Sequence, residues 1–121
     1  MPQMFDPATL ASLRSTREVR IRTARHKSQG VVIWIVVVED AAFVRSVRGP
    51  AGKWFAAAAD DGTAMLELDG RRIPVRVFPI TDQATIEAVS QAFLTKYATS
   101  PYAQSIVAPG TLATTLRLDP M

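Results

Sequence analysis

Two short stretches of the sequence concentrate side chains able to hold an anion. The first, RTARHKSQG, sets Arg25, His26, Lys27 and Ser28 in consecutive positions. The second, RSVRGPAGKW, arranges Arg45, Ser46, Arg48 and Lys53 around Gly49 and Gly52 and ends on Trp54. A guanidinium grips phosphate through two parallel N–H bonds, an ammonium acts as a point charge, and a serine hydroxyl adds a donor. Glycines let the backbone approach a ligand and present its N–H groups to it. An indole beside them can cover a planar ring, and Trp54 reads equally well as that cover or as the anchor of a following helix. Any one of these cations alone reads as a solvated surface residue. Together the two clusters point to a phosphorylated or otherwise anionic ligand.

Side chains alone offer little for catalysis, and the catalytic residues stay unassigned. His26 is the only histidine, flanked by Arg25 and Lys27 with no carboxylate beside it to orient it as a general base. The paired carboxylates Glu39-Asp40 and Asp60-Asp61 fall at turns, where such residues cap elements or stay in water. There is no phosphate-binding GxxxxGK[ST] loop and no dinucleotide fingerprint. With no cysteine and one histidine, disulfides, thiolate chemistry and multi-histidine metal sites are excluded, so no metal is expected. The remaining aromatics, Trp34, Phe93 and Tyr97, fall on buried strand or helix stripes and read as core.

The 121 residues suit one domain spanning 1–121, with 1–17 as an N-terminal helical segment, and 48% hydrophobic content is enough for a packed core. The net charge is +3, but its distribution says more: six of the 14 Lys and Arg lie between Arg14 and Lys27, and three more lie within 45–53. Such concentration suggests an anionic partner, with nucleic acid, a membrane surface and a phosphorylated cofactor all open at this level. The longest apolar run, VVIWIVVV, has eight residues. A membrane helix needs about 20. The opening MPQMFDPATL has no charged region leading into an apolar one, so the expectation is a cytoplasmic protein with no membrane partner.

The elements that must position these clusters are mostly short strands. Asp6 caps and Pro7 opens a first helix. EVRIRTAR (18–25) alternates as a half-buried strand, HKSQG (26–30) reads as a polar turn, and VVIWIVVVE (31–39) as a fully buried strand. Glu39-Asp40 turns the chain into a third strand over 41–47. KWFAAAAD is a helix stopped by Gly62, and Asp69-Gly70 joins two strands in a hairpin, with Pro74 marking the second as an edge or a bulge. Residues 82–98 form the clearest helix, and TLATTLRL (111–118) the last strand. If 18–25, 31–39 and 41–47 pair in sequence, the two basic clusters share one end of the sheet. Six strands joined largely by hairpins, with about three helices, indicate an antiparallel barrel or sandwich with helices outside.

The order of RHKSQG, VVIWIVVVED, AAFVRSVRGPAGKWFAAAA, a hairpin, a helix ending in KY and then TLRLDP resembles the flavin-binding split-barrel superfamily, which holds pyridoxamine 5′-phosphate oxidase-like proteins and deazaflavin-dependent reductases. Within it, the sequence is most similar to a group of short uncharacterised members. The resemblance implies a mainly β, α+β fold: a six-stranded antiparallel split β-barrel with short flanking helices. It also implies a homodimer with FMN or a deazaflavin of the 8-hydroxy-5-deazaflavin type at its interface. RHKSQG is similar to the phosphate-binding turn of the deazaflavin reductases, which implicates Arg25, Lys27 and Ser28. RSVRGPAGKW is similar to the segment contacting phosphate and ring, which implicates Arg45, Ser46, Gly49, Lys53 and Trp54. The activity so implied is hydride transfer to or from a small-molecule substrate, the cofactor carrying the reactive atom. Two rivals stand beside it. One is a non-catalytic cofactor binder, or a member of the fold binding nothing. The other is a small basic nucleic-acid-binding barrel, disfavoured because the aromatics alternate into the core and do not form an exposed stacking platform.

Overall fold

The computed structural model describes residues 4–24 and 26–121, with 26–29 described by their backbone alone. Helix α1 (Pro7–Ser15) starts as the sequence predicts: the Asp6 carboxylate accepts from Thr9 N at 3.2 Å and from Thr9 Oγ1 at 2.6 Å, and Pro7 opens the first turn. The chain continues through β1 (Val19–Thr23), β2 (His26–Ile33), β3 (Val36–Val38) and β4 (Ala41–Val44). A 3-10 turn (Gly49–Ala51), α2 (Lys53–Asp61), β5 (Thr63–Leu68) and β6 (Arg71–Pro79) follow. The last elements are α3 (Gln83–Lys96), α4 (Ala103–Ile106), α5 (Pro109–Leu112) and β7 (Leu116–Pro120).

The strands pair antiparallel in the order β2-β1-β5-β6-β7-β4-β3. β2 and β3 are consecutive in the chain yet occupy the two ends of that order. The sheet therefore curls until its edges are joined by residues 34–35, which makes an antiparallel half-barrel, and the described residues add five α-helices. The expected mainly β, α+β class holds. The described residues form seven strands and not six, because the apolar run 31–39 is broken at Trp34–Ile35. Nothing in the local sequence marks that break. Its cause is tertiary: the backbone groups freed there find partners on α3. Ile35 N donates to Tyr97 Oη at 3.2 Å, and Ile35 O accepts from Lys96 Nζ at 2.7 Å.

HKSQG is not a turn. It lies in β2, and the chain reverses between Thr23 and His26. The pairing runs from Val19↔Ile33 through Ile21↔Val31 to Thr23↔His26, so two steps on β1 span five on β2. The loop-like composition is absorbed as an irregularity inside a strand. Pro74 likewise sits on a central strand and not on an edge. Its carbonyl accepts from Met121 N at the very end of the β7 ladder, so its missing N–H faces the place where that ladder stops. The last strand starts at Leu116 and not at 111 because three threonines turn back on the chain. Thr111, Thr114 and Thr115 hydroxyls donate to the carbonyls of Ala108, Thr111 and Leu112, each three residues earlier. The Glu39-Asp40 and Asp69-Gly70 hairpins form where expected.

One apolar cluster fills the barrel. It joins Leu10 and Leu13 of α1, Ile21, Ile33, Val44, Leu66, Val75, Leu116 and Leu118 of the strands, and Trp54 and Ala58 of α2. A second lies on the outer side of β3 and β4, where Val36 and Phe43 meet Val89, Phe93 and Tyr97 of α3. Each such side chain contributes about 1.5–3 kcal/mol when fully buried. The two clusters hold α2 and α3 on opposite sides of the β2–β3 break.

Candidate functional site

A cavity of about 520 Å³ opens between the end of β2 and the segment that follows β4. Its walls are Val31, Val32, Ile33 and Trp34 on one side, and Val47, Arg48, Lys53 and Trp54 on the other, with Tyr102, Ser105 and Ile106 closing the rim. The size falls in the ~300–1,000 Å³ range of small-molecule sites, and so does the mix of apolar walls with a few charged groups.

Lys53 is exposed at the first position of α2. Gly52 precedes it and has no side chain to cap the helix, so the positive end of α2 borders the cavity without a side-chain cap, with Ser46 and Glu18 also on the lining. Arg48 is exposed on the same rim. Two exposed cations thus lie beside a helix start with no side-chain cap, next to an apolar slot whose lining also includes the Glu18 carboxylate.

The remaining residues of RSVRGPAGKW hold the loop in shape, although Arg45 and Ser46 also line the cavity. Arg45 is 1% exposed, and its guanidinium is committed to the protein itself. Nε donates to Thr115 Oγ1 at 2.9 Å, one terminal nitrogen to Ser90 Oγ at 2.8 Å and Ile106 O at 3.3 Å, and the other to Ile86 O at 2.8 Å. Burial away from water pushes its pKa down to about 10, without removing the charge near neutrality. Ser46 is buried, donating from Oγ to Gly49 O at 2.9 Å and from its N to Thr114 Oγ1 at 3.0 Å. Gly49, in the left-handed region at φ 68°, is buried against Gly110 and does not border the cavity. Gly52 is small because a Cβ there would land inside van der Waals contact of Ser46 Oγ. These glycines bring backbone close to the chain's own atoms. Trp54 borders the cavity but is 8% exposed and belongs to the interior cluster, so it anchors α2 as well as walling the site.

The first basic cluster is described only in part. Arg25 is outside the described residues, and Lys27 and Ser28 are described only by their backbone in β2. The cavity borders the Ile33 end of the β1–β2 hairpin, whereas His26 pairs with Thr23 at the other end. Four residue steps of β1, about 13 Å, separate the two ends. The sequential pairing of 18–25, 31–39 and 41–47, on which the expected meeting of the two clusters rests, does not form, because the strand over 31–39 is broken and β2 and β4 lie apart in the sheet order.

Sequence reading missed Trp34 and Tyr102 as site residues. Trp34 sits in an unbroken apolar run and reads as buried throughout. In the structure it is half-buried, borders the cavity, and stacks on Tyr97 with ring centres 4.0 Å apart and planes 3° from parallel. Tyr102, 69% exposed, was discoverable as a lone aromatic in a Ser/Pro connection.

Behind Trp34, the end of α3 clamps the strand break. Tyr97 Oη donates to Arg17 O at 2.7 Å, and Lys96 Nζ donates to Leu13 O at 2.9 Å as well as to Ile35 O. Burial, reinforced by the nearby Arg17 charge, lowers the Lys96 pKa from 10.5 to about 8. Between those values the unfolded chain binds more protons at this site than the folded one, so stability rises with pH across about 8 to 10.5. Urea unfolding at pH 7.5 to 10 should show the wild type gaining stability relative to Lys96→Met as pH climbs. Parallel curves for the two proteins would refute the depressed pKa.

Among the described residues, no three or more His, Cys, Asp or Glu gather into a cluster, and no helix is long and apolar enough to cross a membrane.

The fold of this half-barrel is shared by known structures. A conserved hypothetical protein from Mycobacterium tuberculosis superposes with TM-score 0.66 at 8% identity, covering 98% of this chain and 80% of that one. An FAD-binding protein from Mesorhizobium loti gives 0.58 at 13% identity, covering 99% and 91%, and one from Mycobacterium smegmatis gives 0.54 at 17%, covering 98% and 92%. The resemblance to the flavin-binding split-barrel superfamily is thereby borne out at the level of fold. Residues 9–118 match the family model described as uncharacterized protein conserved in bacteria (DUF2255), and the chain belongs to that family. No protein of curated function matches the sequence.

Proposed function

We propose that the protein binds a flavin-type cofactor in this cavity and uses it for hydride transfer with a small molecule. The observation that carries this reading is the pairing of an apolar, aromatic-walled slot with an anion site made by Arg48, Lys53 and the uncapped start of α2. A flavin nucleotide needs both, a flat ring to be kept from water and a phosphate to be held, so the residues present fit the group. Two structures of the same fold are described as FAD-binding, which supports the class. The bound ring would supply the hydride chemistry. The chain's own part is to fix the phosphate with Lys53 and Arg48, and to flank the ring with Ile33, Trp34 and Trp54 so that water is kept out.

We read the functional unit as a homodimer. Val31 and Val32 are adjacent on β2, so they point to opposite faces, yet they are 39% and 45% exposed. Val47 and Tyr102 add further exposed apolar surface at the cavity mouth. A second copy of the chain would cover this edge and complete the slot. Analytical ultracentrifugation should give twice the chain mass, and a monomer at micromolar concentration would remove this part of the reading.

The direct test titrates the protein with FMN, with FAD and with an 8-hydroxy-5-deazaflavin, following ligand fluorescence. Failure of all three to bind below about 100 μM would overturn the reading. For the form that binds, Lys53→Ala and Arg48→Ala should each weaken affinity by roughly 1–3 kcal/mol, since each removes a charge-assisted bond. Activity is then read by anaerobic bleaching of the bound ring with nicotinamide hydride donors. A loaded protein that none of them bleaches would be a carrier and not an oxidoreductase.

A further inference from the structure

We infer that Trp34 is the platform on which the planar ring of the ligand lies, and that Lys96 and Tyr97 are the positioning residues that hold it flat. The inference deepens the cofactor reading and rests on it for the identity of the ring. Trp34 is half-buried and borders the cavity. One of its faces is covered by Tyr97 at 4.0 Å and 3°, which leaves the opposite face and the ring edge for the cavity. The indole stands where the chain steps out of β2 towards β3, so its orientation depends on residues 34–35 and not on a strand ladder.

That step is fixed at both of its neighbouring polar groups. Ile35 N bonds Tyr97 Oη, Ile35 O accepts from Lys96 Nζ, and the same Nζ reaches Leu13 O of α1. Tyr97 is 0% exposed and packs on Phe93, and the cationic groups of Arg17 and Lys96 lie 5.1 and 5.5 Å from its ring centre. Cations so placed are attracted to the ring face and help to hold Tyr97 where it is. Trp34 is therefore backed by a rigid support. An indole held flat in this way suits an electron-poor planar heterocycle in offset stacking. Trp54, buried in the interior cluster, lacks a comparable free face.

The chain has two tryptophans, so Trp54→Phe leaves Trp34 as the only indole. FMN, FAD, and the non-flavin aromatic phosphates ATP and pyridoxal 5′-phosphate are titrated against wild type, Trp54→Phe, Trp34→Phe and Trp34→Leu. The expected result is that a flavin quenches the Trp34 emission of Trp54→Phe by more than half and gains a long-wavelength absorption shoulder. Trp34→Leu should lose the shoulder and bind about tenfold more weakly, with Trp34→Phe between the two. Lys96→Met should reduce the shoulder while the Arg48 and Lys53 anchor keeps the flavin bound, and an unchanged shoulder in folded Lys96→Met would remove Lys96 as a positioning residue.

Flavin binding of equal strength and unchanged spectrum in Trp34→Leu and Trp34→Phe would overturn the platform while leaving the cofactor reading intact. Binding of ATP or pyridoxal 5′-phosphate with the same dependence on Trp34, and no flavin binding, would keep the platform and remove the flavin. Binding of none of the four ligands would overturn both. Trp34→Phe retains an aromatic ring on Tyr97 and protects the test should Trp34→Leu fail to fold.

Discussion

Arg45→Ala should destabilise the protein by roughly 3–5 kcal/mol, a large share of the 5–15 kcal/mol that holds a domain folded. The guanidinium ties three elements together: Ile86 and Ser90 of α3, Ile106 of α4, and Thr115 just before β7. No carboxylate is among these partners. Each bond is charge-assisted and worth about 1.5–3 kcal/mol when one partner is removed, though the losses do not simply add. Truncation also opens a void beside Phe93, over whose ring the guanidinium sits at 5.6 Å. Arg45→Lys should recover little, because one ammonium cannot reach partners arranged around a planar fork. Urea unfolding is the measurement. If Arg45→Ala unfolds at the wild-type midpoint but loses anion affinity, the residue faces the ligand and its assignment as a structural tie is wrong.

The second large effect is at Gly49. Its φ of 68° lies where a side chain costs about 1–2 kcal/mol, and a Cβ there would stand 2.9 Å from Gly110 O. That obstacle is backbone, so the 3-10 turn and α5 must move apart, at a further cost of about 1–3 kcal/mol. Gly49→Ala should therefore lose roughly 2–5 kcal/mol of stability. It should weaken ligand binding as well, because this turn sets where Lys53 and the start of α2 stand. A stability within 0.5 kcal/mol of wild type, checked by the same unfolding curves, would show that the loop accommodates the methyl group.

These two residues show how far the sequence could be read. Residue types named the right segment: RSVRGPAGKW does border the cavity, and Lys53 and Trp54 stand on its wall. What composition could not reveal was direction. Arg45 ends an alternating strand, and its inward orientation depends on α3 and α4 lying beneath it, which no local pattern encodes. Hairpin turns and helix ends were legible because Asp6, Asp69-Gly70 and Gly62 act within three or four residues of themselves. The break at Trp34–Ile35 was not legible. It is specified by Lys96 and Tyr97, some 60 residues away, and Trp34 was consequently read as core. The same break undid the expected meeting of RHKSQG with the second cluster.

β7 bears on how long this chain needs to fold. It comes last in chain order yet lies in the middle of the sheet, between β6 and β4. Until Leu116–Pro120 slots in, both neighbouring strands have open edges and the barrel lacks Leu116 and Leu118. Closure must therefore wait for contacts that span up to about 75 residues, such as Ala42 with Leu118. Pairings of that range set folding on the millisecond-to-second scale of non-local β topologies. The strand that completes the barrel is the last in line to reach it.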